Sequence, residues 1–91
     1  MLEAYVLVET RLGKAQEVAH RFEALDEVLH ADIVSGCYDV VVRVRAESYE
    51  DLIEVVRSVR AVDGVTRALH CPVDHPVAEA HRGWVPLHVA V

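Results

Sequence analysis

Ser35-Gly36-Cys37-Tyr38-Asp39 carries more chemistry than a chain reversal requires. Two β-branched runs, ending at Ile33-Val34 and resuming at Val40-Val41-Val42, flank it in the pattern of a β-hairpin. Gly36 supplies backbone freedom. Asp39 can accept hydrogen bonds from nearby backbone amides. Tyr38 adds a large ring with a polar tip that turn geometry does not demand. The surplus marks this hairpin as the candidate functional site.

Other reactive residue types are scattered. Six histidines invite a metal. His70, Cys71 and His75 lie close in sequence, and His81 and His88 follow in the tail. Yet neighbours on a strand point to opposite faces, so His70 and Cys71 diverge. No CxxC or HExxH is present, and no metal or cofactor is expected. Cys37 as a nucleophile would need a base and a lowered pKa, and no base can be assigned, so no catalytic residue is named. Arg43, Arg45, Arg57 and Arg60 form no basic run and read as solvated or interface charges. Trp84 reads as a packing anchor for the tail.

The elements that must hold the hairpin follow from periodicity. Leu2–Glu9 reads as a first strand. Ala15, Val18, Ala19, Phe22 and Leu25 share one helical face. Val28–Ser35 and Tyr38–Arg45 are the expected second and third strands. Ser48 is a fitting N-cap, with Asp51 three residues on. Tyr49, Leu52, Ile53, Val56 and Val59 repeat the earlier helical spacing, and Val65–Val73 is the expected last strand. The halves echo each other, with Asp26-Glu27-Val28 in one and Asp63-Gly64-Val65 in the other. Two interleaved right-handed β-α-β units give an α+β, ferredoxin-like βαββαβ sandwich: a four-stranded antiparallel sheet with both helices on one face.

That fold leaves one sheet face bare. Val40, Val42 and Val44 are expected to face the helices, leaving Val41 and Arg43 on the bare side; on the first strand one face carries Ala4, Val6 and Val8 and the other Tyr5 and Leu7. A partly apolar bare face calls for a partner, most simply a homodimer packed sheet against sheet. Residues 1–73 thus form one domain. Residues 74–91 are a C-terminal extension, with Trp84–Val91 an edge strand or oligomer arm.

Composition closes off several classes. Ninety-one residues, 53% hydrophobic and 26% charged, suit one folded domain. A net charge of −6 disfavours direct DNA binding. No apolar run approaches the roughly 20 residues of a membrane span, and the N-terminus lacks a signal peptide's basic region. Cys37 and Cys71 form no disulfide framework, which fits a cytoplasmic location.

The element order, the Ser-Gly-Cys-Tyr-Asp hairpin and the Gly64-Val65-Thr66-Arg67 opening of the last strand resemble the effector-binding half of the Lrp/AsnC regulators, the RAM domain. The resemblance covers roughly Leu2–Val73. It implies a stand-alone member lacking the DNA-binding helix-turn-helix, assembling as dimers that join into rings. It also implies an amino-acid effector held between dimers, near the hairpin and the last strand. Carried onto this sequence, the ligand residues are Ser35, Gly36, Cys37, Tyr38 and Asp39, with Ala68 and His70 where the family usually places hydroxyls. Asp39 would receive an ammonium and loop amides near Gly36 a carboxylate. The implied partners are further copies, the effector and a full-length Lrp/AsnC regulator. Two other readings compete: a dimeric α/β-barrel enzyme of oxygenase or haem type, drawing on His30, Asp32 and Arg43, and a ligand-free interaction protein.

Overall fold

In the computed structural model, described for residues 1–75, six elements follow in the order strand, helix, strand, strand, helix, strand. They are β1 (Leu2–Thr10), α1 (Ala15–Phe22), β2 (Val28–Ile33), β3 (Val40–Ala46), α2 (Tyr49–Arg60) and β4 (Val65–Pro72). The strands form one antiparallel sheet in the order β2-β3-β1-β4. This is the expected ferredoxin-like arrangement. Residues 76–91, and with them the strand or arm expected over Trp84–Val91, lie outside the described residues.

Strict alternation builds the core. Ala4, Val6 and Val8 of β1 and Val40, Val42 and Val44 of β3 are fully buried, together with Val18 and Phe22 of α1 and Leu52 and Val59 of α2. Burying each such large side chain stabilises by about 1.5–3 kcal/mol. Registers Val6↔Val42 and Val8↔Val40 stack these valines in rows beneath the helices. On α2 the buried stripe is Leu52, Val55, Val56 and Val59, whereas Tyr49 is exposed. The stripe is rotated from the expected one, with Val55 buried in place of Tyr49 and Ile53 only half-buried. Ser48 caps α2 as expected, its Oγ accepting the Asp51 amide at 3.2 Å, worth about 1 kcal/mol.

The two halves are built alike. After α1, the Val28 amide donates to the Leu25 carbonyl at 3.1 Å, and after α2 the Val65 amide donates to Val62 at 3.1 Å. The turn carbonyls also accept from the neighbouring segments: Glu27 from the Arg45 amide (2.9 Å) and Gly64 from the Arg11 amide (2.8 Å). Gly64 has a φ of 103°, and a Cβ there would sit 2.8 Å from Val18 Cγ2. Only glycine lets this turn close against α1.

The strand ends differ from expectation around the hairpin. β2 stops at Ile33 and β3 starts at Val40, so the connection runs from Val34 to Asp39. Two observations account for the widening. Gly36 leaves the strand conformation at φ 119°. The Asp39 amide turns away from β2 to donate to the Val8 carbonyl of β1 at 2.9 Å.

Among the described residues, no helix lies over the opposite sheet face. Glu3, Tyr5, Leu7 and Glu9 of β1 lie there beside Val41, Arg43 and Arg45 of β3 and Arg67, Leu69 and Cys71 of β4. Tyr5 and Leu69 are exposed and Leu7 and Val41 half-buried. Arg43 donates to Glu3 at 2.7 Å and to the Tyr5 hydroxyl at 2.8 Å. The bond to Glu3 holds the guanidinium proton more firmly than usual, raising its pKa.

Candidate functional site

The hairpin is tied to the end of β1 by one side chain. Asp39 Oδ2 accepts from the Thr10 amide at 2.8 Å and from the Thr10 hydroxyl at 3.4 Å. The Asp39 carbonyl accepts from the Val34 amide at 2.9 Å, closing the loop. Asp39 therefore joins three segments: the end of β1, the end of β2 and the start of β3. Thr10 pairs with Val65 across a register shift in β1, so its amide needs a partner from elsewhere. A carboxylate accepting backbone N–H bonds forms a strong, charge-assisted contact. Among the described residues, Oδ1 makes no such bond.

Of the other hairpin residues, Ser35, Gly36 and Cys37 are exposed and Tyr38 is half-buried. A Cβ at Gly36 would meet nothing within 4 Å, so the backbone there lies open to an incoming group. The loop offers solvent a small surface: one free carboxylate oxygen, open backbone and the Tyr38 phenol.

The two last-strand residues are placed differently from each other. Ala68 pairs with Val8 and is 5% exposed, packed into the core beneath the helices. His70 pairs with Val6, two residues further from the hairpin, roughly 7 Å along a strand. It is half-buried, and among the described residues its Nδ1 has no hydrogen-bond partner. Both face the helices, whereas Cys71, opposite Tyr5, faces the bare side. The structure thus groups Ser35–Asp39 with Thr10 and sets Ala68 and His70 apart on the covered face.

Thr10 is the site residue that sequence reasoning missed. Beside it, the Thr66 hydroxyl donates to the Glu9 carbonyl at 3.2 Å, a bond within the β1–β4 pair. A threonine ending a strand, with an aspartate opening the strand beside it, was the available signal. Two surface hollows, of about 430 and 280 Å³, lie elsewhere, and no hairpin residue lines either. Among the described residues, no three His, Cys, Asp or Glu side chains converge as a metal site. Among the described residues, a single chain therefore presents the hairpin as one wall, without walls opposite.

Comparison with known proteins bears on that geometry. The profile of the family described as the Lrp/AsnC ligand binding domain matches residues 3–71. The HTH-type transcriptional regulator FL11 of Pyrococcus abyssi is 31% identical over 64 residues, 67% of this chain and 42% of the regulator. The chain thus spans about two fifths of the length of that relative. The structure of TTHA0845 from Thermus thermophilus is similar with a TM-score of 0.78 at 28% identity, over 84% of this chain and 96% of that one. The M. tuberculosis feast or famine regulatory protein Rv3291c, solved in complex with L-methionine, gives a TM-score of 0.72 at 24% identity, over 85% of this chain and 52% of that one. At that identity the likeness concerns the fold alone.

Proposed function

The chain belongs to the Lrp/AsnC ligand binding domain family, and on that premise we propose that it is a ligand-sensing, self-assembling regulatory module. Its effector is a small amino acid or similar zwitterion, held at a boundary between dimers by the Ser35–Asp39 hairpin. The observation that carries this reading is the anchored, half-open hairpin. Thr10 fixes the Asp39 carboxylate in place through Oδ2 and leaves Oδ1 for an ammonium. Open backbone at Gly36 suits a carboxylate. Tyr38 supplies an apolar wall with a hydroxyl. The methionine bound to Rv3291c supports an amino-acid ligand by analogy.

Assembly through the bare sheet face is part of the proposal. Three carboxylates there, Glu3, Glu9 and Asp32, balance three guanidinium groups, Arg43, Arg45 and Arg67, in a chain of net charge −6. Two copies can bring this face together without the like-charge repulsion met elsewhere. Tyr5, Leu7, Val41 and Leu69 provide its apolar centre.

The module acts on transcription through a partner, a full-length regulator of the same family, rather than by reading DNA itself. Its acidic charge and the use of both helices to cover the sheet support that division of labour. The enzyme alternative draws on His30, Asp32 and Arg43. Arg43 is already held by Glu3 and Tyr5, which supports a non-enzymatic role. Among the described residues no helix is long and apolar enough to cross a membrane, and the proposed location is the cytoplasm.

Thermal melting in the presence of individual amino acids tests the reading. A ligand at a hundred times its Kd stabilises by about 2.7 kcal/mol, on the order of a 10 °C rise for a domain of this size. The proposal expects at least one amino acid to give such a rise. Uniform silence across the set would favour the ligand-free interaction reading.

A further inference from the structure

One side of α2 and one edge of the sheet are left half-covered together. Tyr49, Ile53, Val56 and Arg60 fall at i, i+4, i+7 and i+11, a single stripe along the helix. Arg60 places that stripe over the outer edge of β4, because its Nη2 donates to the Ala68 carbonyl at 3.1 Å. Val56 is buried, yet Ile53 is half-buried and Tyr49 is 56% exposed. β4 ends the strand order β2-β3-β1-β4, so among the described residues no strand pairs with its outer side. An apolar strip beside an unpaired edge is a seat for one more strand.

The phase of that edge is readable. The Val73 amide donates inward to the Glu3 carbonyl at 2.9 Å. Bonding direction alternates along an antiparallel strand. Leu69 and Cys71 therefore bond inward to β1, and Ala68, His70 and Pro72 turn their backbone groups outward. Arg60 on the Ala68 carbonyl agrees with this. Pro72 has no amide and forfeits no bond at an outward position. The side chains of Ala68 and His70 face the helices, so the outward backbone groups and the helix-side side chains belong to the same residues.

We propose that residues 84–91 add to this edge as a fifth strand, antiparallel to β4 of the same chain. Position and pattern both name this occupant. Residues 76–91 continue from the end of β4 itself, and 74–84 gives more chain than the two to five residues in which a hairpin commonly reverses. Trp84-Val85-Pro86-Leu87-His88-Val89-Ala90-Val91 matches β4 in length and alternates aliphatic residues with others.

Pro86 sets the register. Without an amide it belongs at a position turned away from β4. Val85, Leu87, Val89 and Val91 then turn their backbone groups toward β4. Residues that exchange bonds in an antiparallel pair stand opposite each other on one face. These four accordingly fall opposite Pro72, His70, Ala68 and Thr66, on the helix side. Their side chains continue the core outward toward Tyr49 and Ile53, and the Val89 amide takes the Ala68 carbonyl from Arg60. Trp84, Pro86 and His88 fall on the bare side, next to Leu69 and Cys71. The opposite phase would aim Pro86 at β4 and turn all four aliphatic side chains away from α2.

Hydrogen exchange, followed residue by residue by NMR on the wild-type chain, tests the pairing. Leu69 and Cys71 amides, bonded to β1, are the slow references. A fifth strand should slow the Ala68 and His70 amides to the same level. Fast exchange at those two would overturn the proposal. A cysteine pair then names the occupant. The register sets Pro86 opposite Cys71 in a non-hydrogen-bonded pair, where Cα atoms lie about 4.5 Å apart, a separation that a disulfide spans. In a Cys37→Ser background, Pro86→Cys should lose both free thiols on mild oxidation, with peptide mapping showing the bond to Cys71 within one chain. Val85→Cys, on the other face, should keep both thiols. A bond between chains, or equal oxidation of the two variants, would overturn the proposal. Slow exchange without the bond to Cys71 would also overturn it, because another segment or copy would then fill the edge.

Discussion

Thr10 and Asp39, distant in sequence, are joined by a 2.8 Å bond from the Thr10 amide to Asp39 Oδ2. That bond gives Asp39 a structural duty beside any ligand duty, and substitutions must separate the two. Asp39→Ala strands the Thr10 amide and should cost about 1–3 kcal/mol of stability. Asp39→Asn keeps an acceptor for Thr10 and should melt within a few degrees of wild type. Urea unfolding of the three proteins checks this.

The glycines give an ordered pair of costs. Gly64→Ala meets both a φ of 103° and Val18 Cγ2 at 2.8 Å, and should lose about 2–4 kcal/mol from backbone strain and overpacking together. Gly36→Ala meets only an unfavourable φ of 119° in open space and should lose about 1–2 kcal/mol. Equal losses in denaturant titrations would count against the tight closure of the turn before β4.

Leu7→Glu adds a carboxylate at the centre of the bare face, beside Val41 and Leu69. Face-to-face packing would then bury two unpaired charges, and sedimentation should show loss of the sheet-to-sheet dimer. An unchanged mass would show that this face is not the interface.

DNA binding by the chain alone should be absent. A gel shift at physiological salt with the pure protein is expected to show no sequence-specific complex. A specific shift would contradict a role exerted through partners.

Much of the fold was legible in the sequence because its signals are local and repeated. Alternating valines at 40, 42 and 44 and the helical spacing at 15, 18, 19 and 22 each encode one buried face, and every one of these residues packs on or in the core. The hairpin was legible as a place but not in its wiring. Gly36 and Asp39 announce a turn, yet the anchor at Thr10 depends on β1 lying beside β3, a pairing between distant segments. For the same reason Ala68 could not be placed by reading along the strand. Its orientation is set by registry with Val8, which buries it. The exposed edge at Leu29–Ile33 was hidden because strand order, not composition, decides which strand is outermost.

Calorimetric titration of amino acids into wild type and Asp39→Asn tests the central claim most directly. A charge-assisted bond is worth about 1.5–3 kcal/mol, which converts to roughly a ten- to hundredfold change in Kd. The account predicts that at least one amino acid binds wild type and that Asp39→Asn, folded as well as wild type, weakens it by that factor. Binding of equal strength to both proteins, or no binding of any amino acid to wild type, would contradict it.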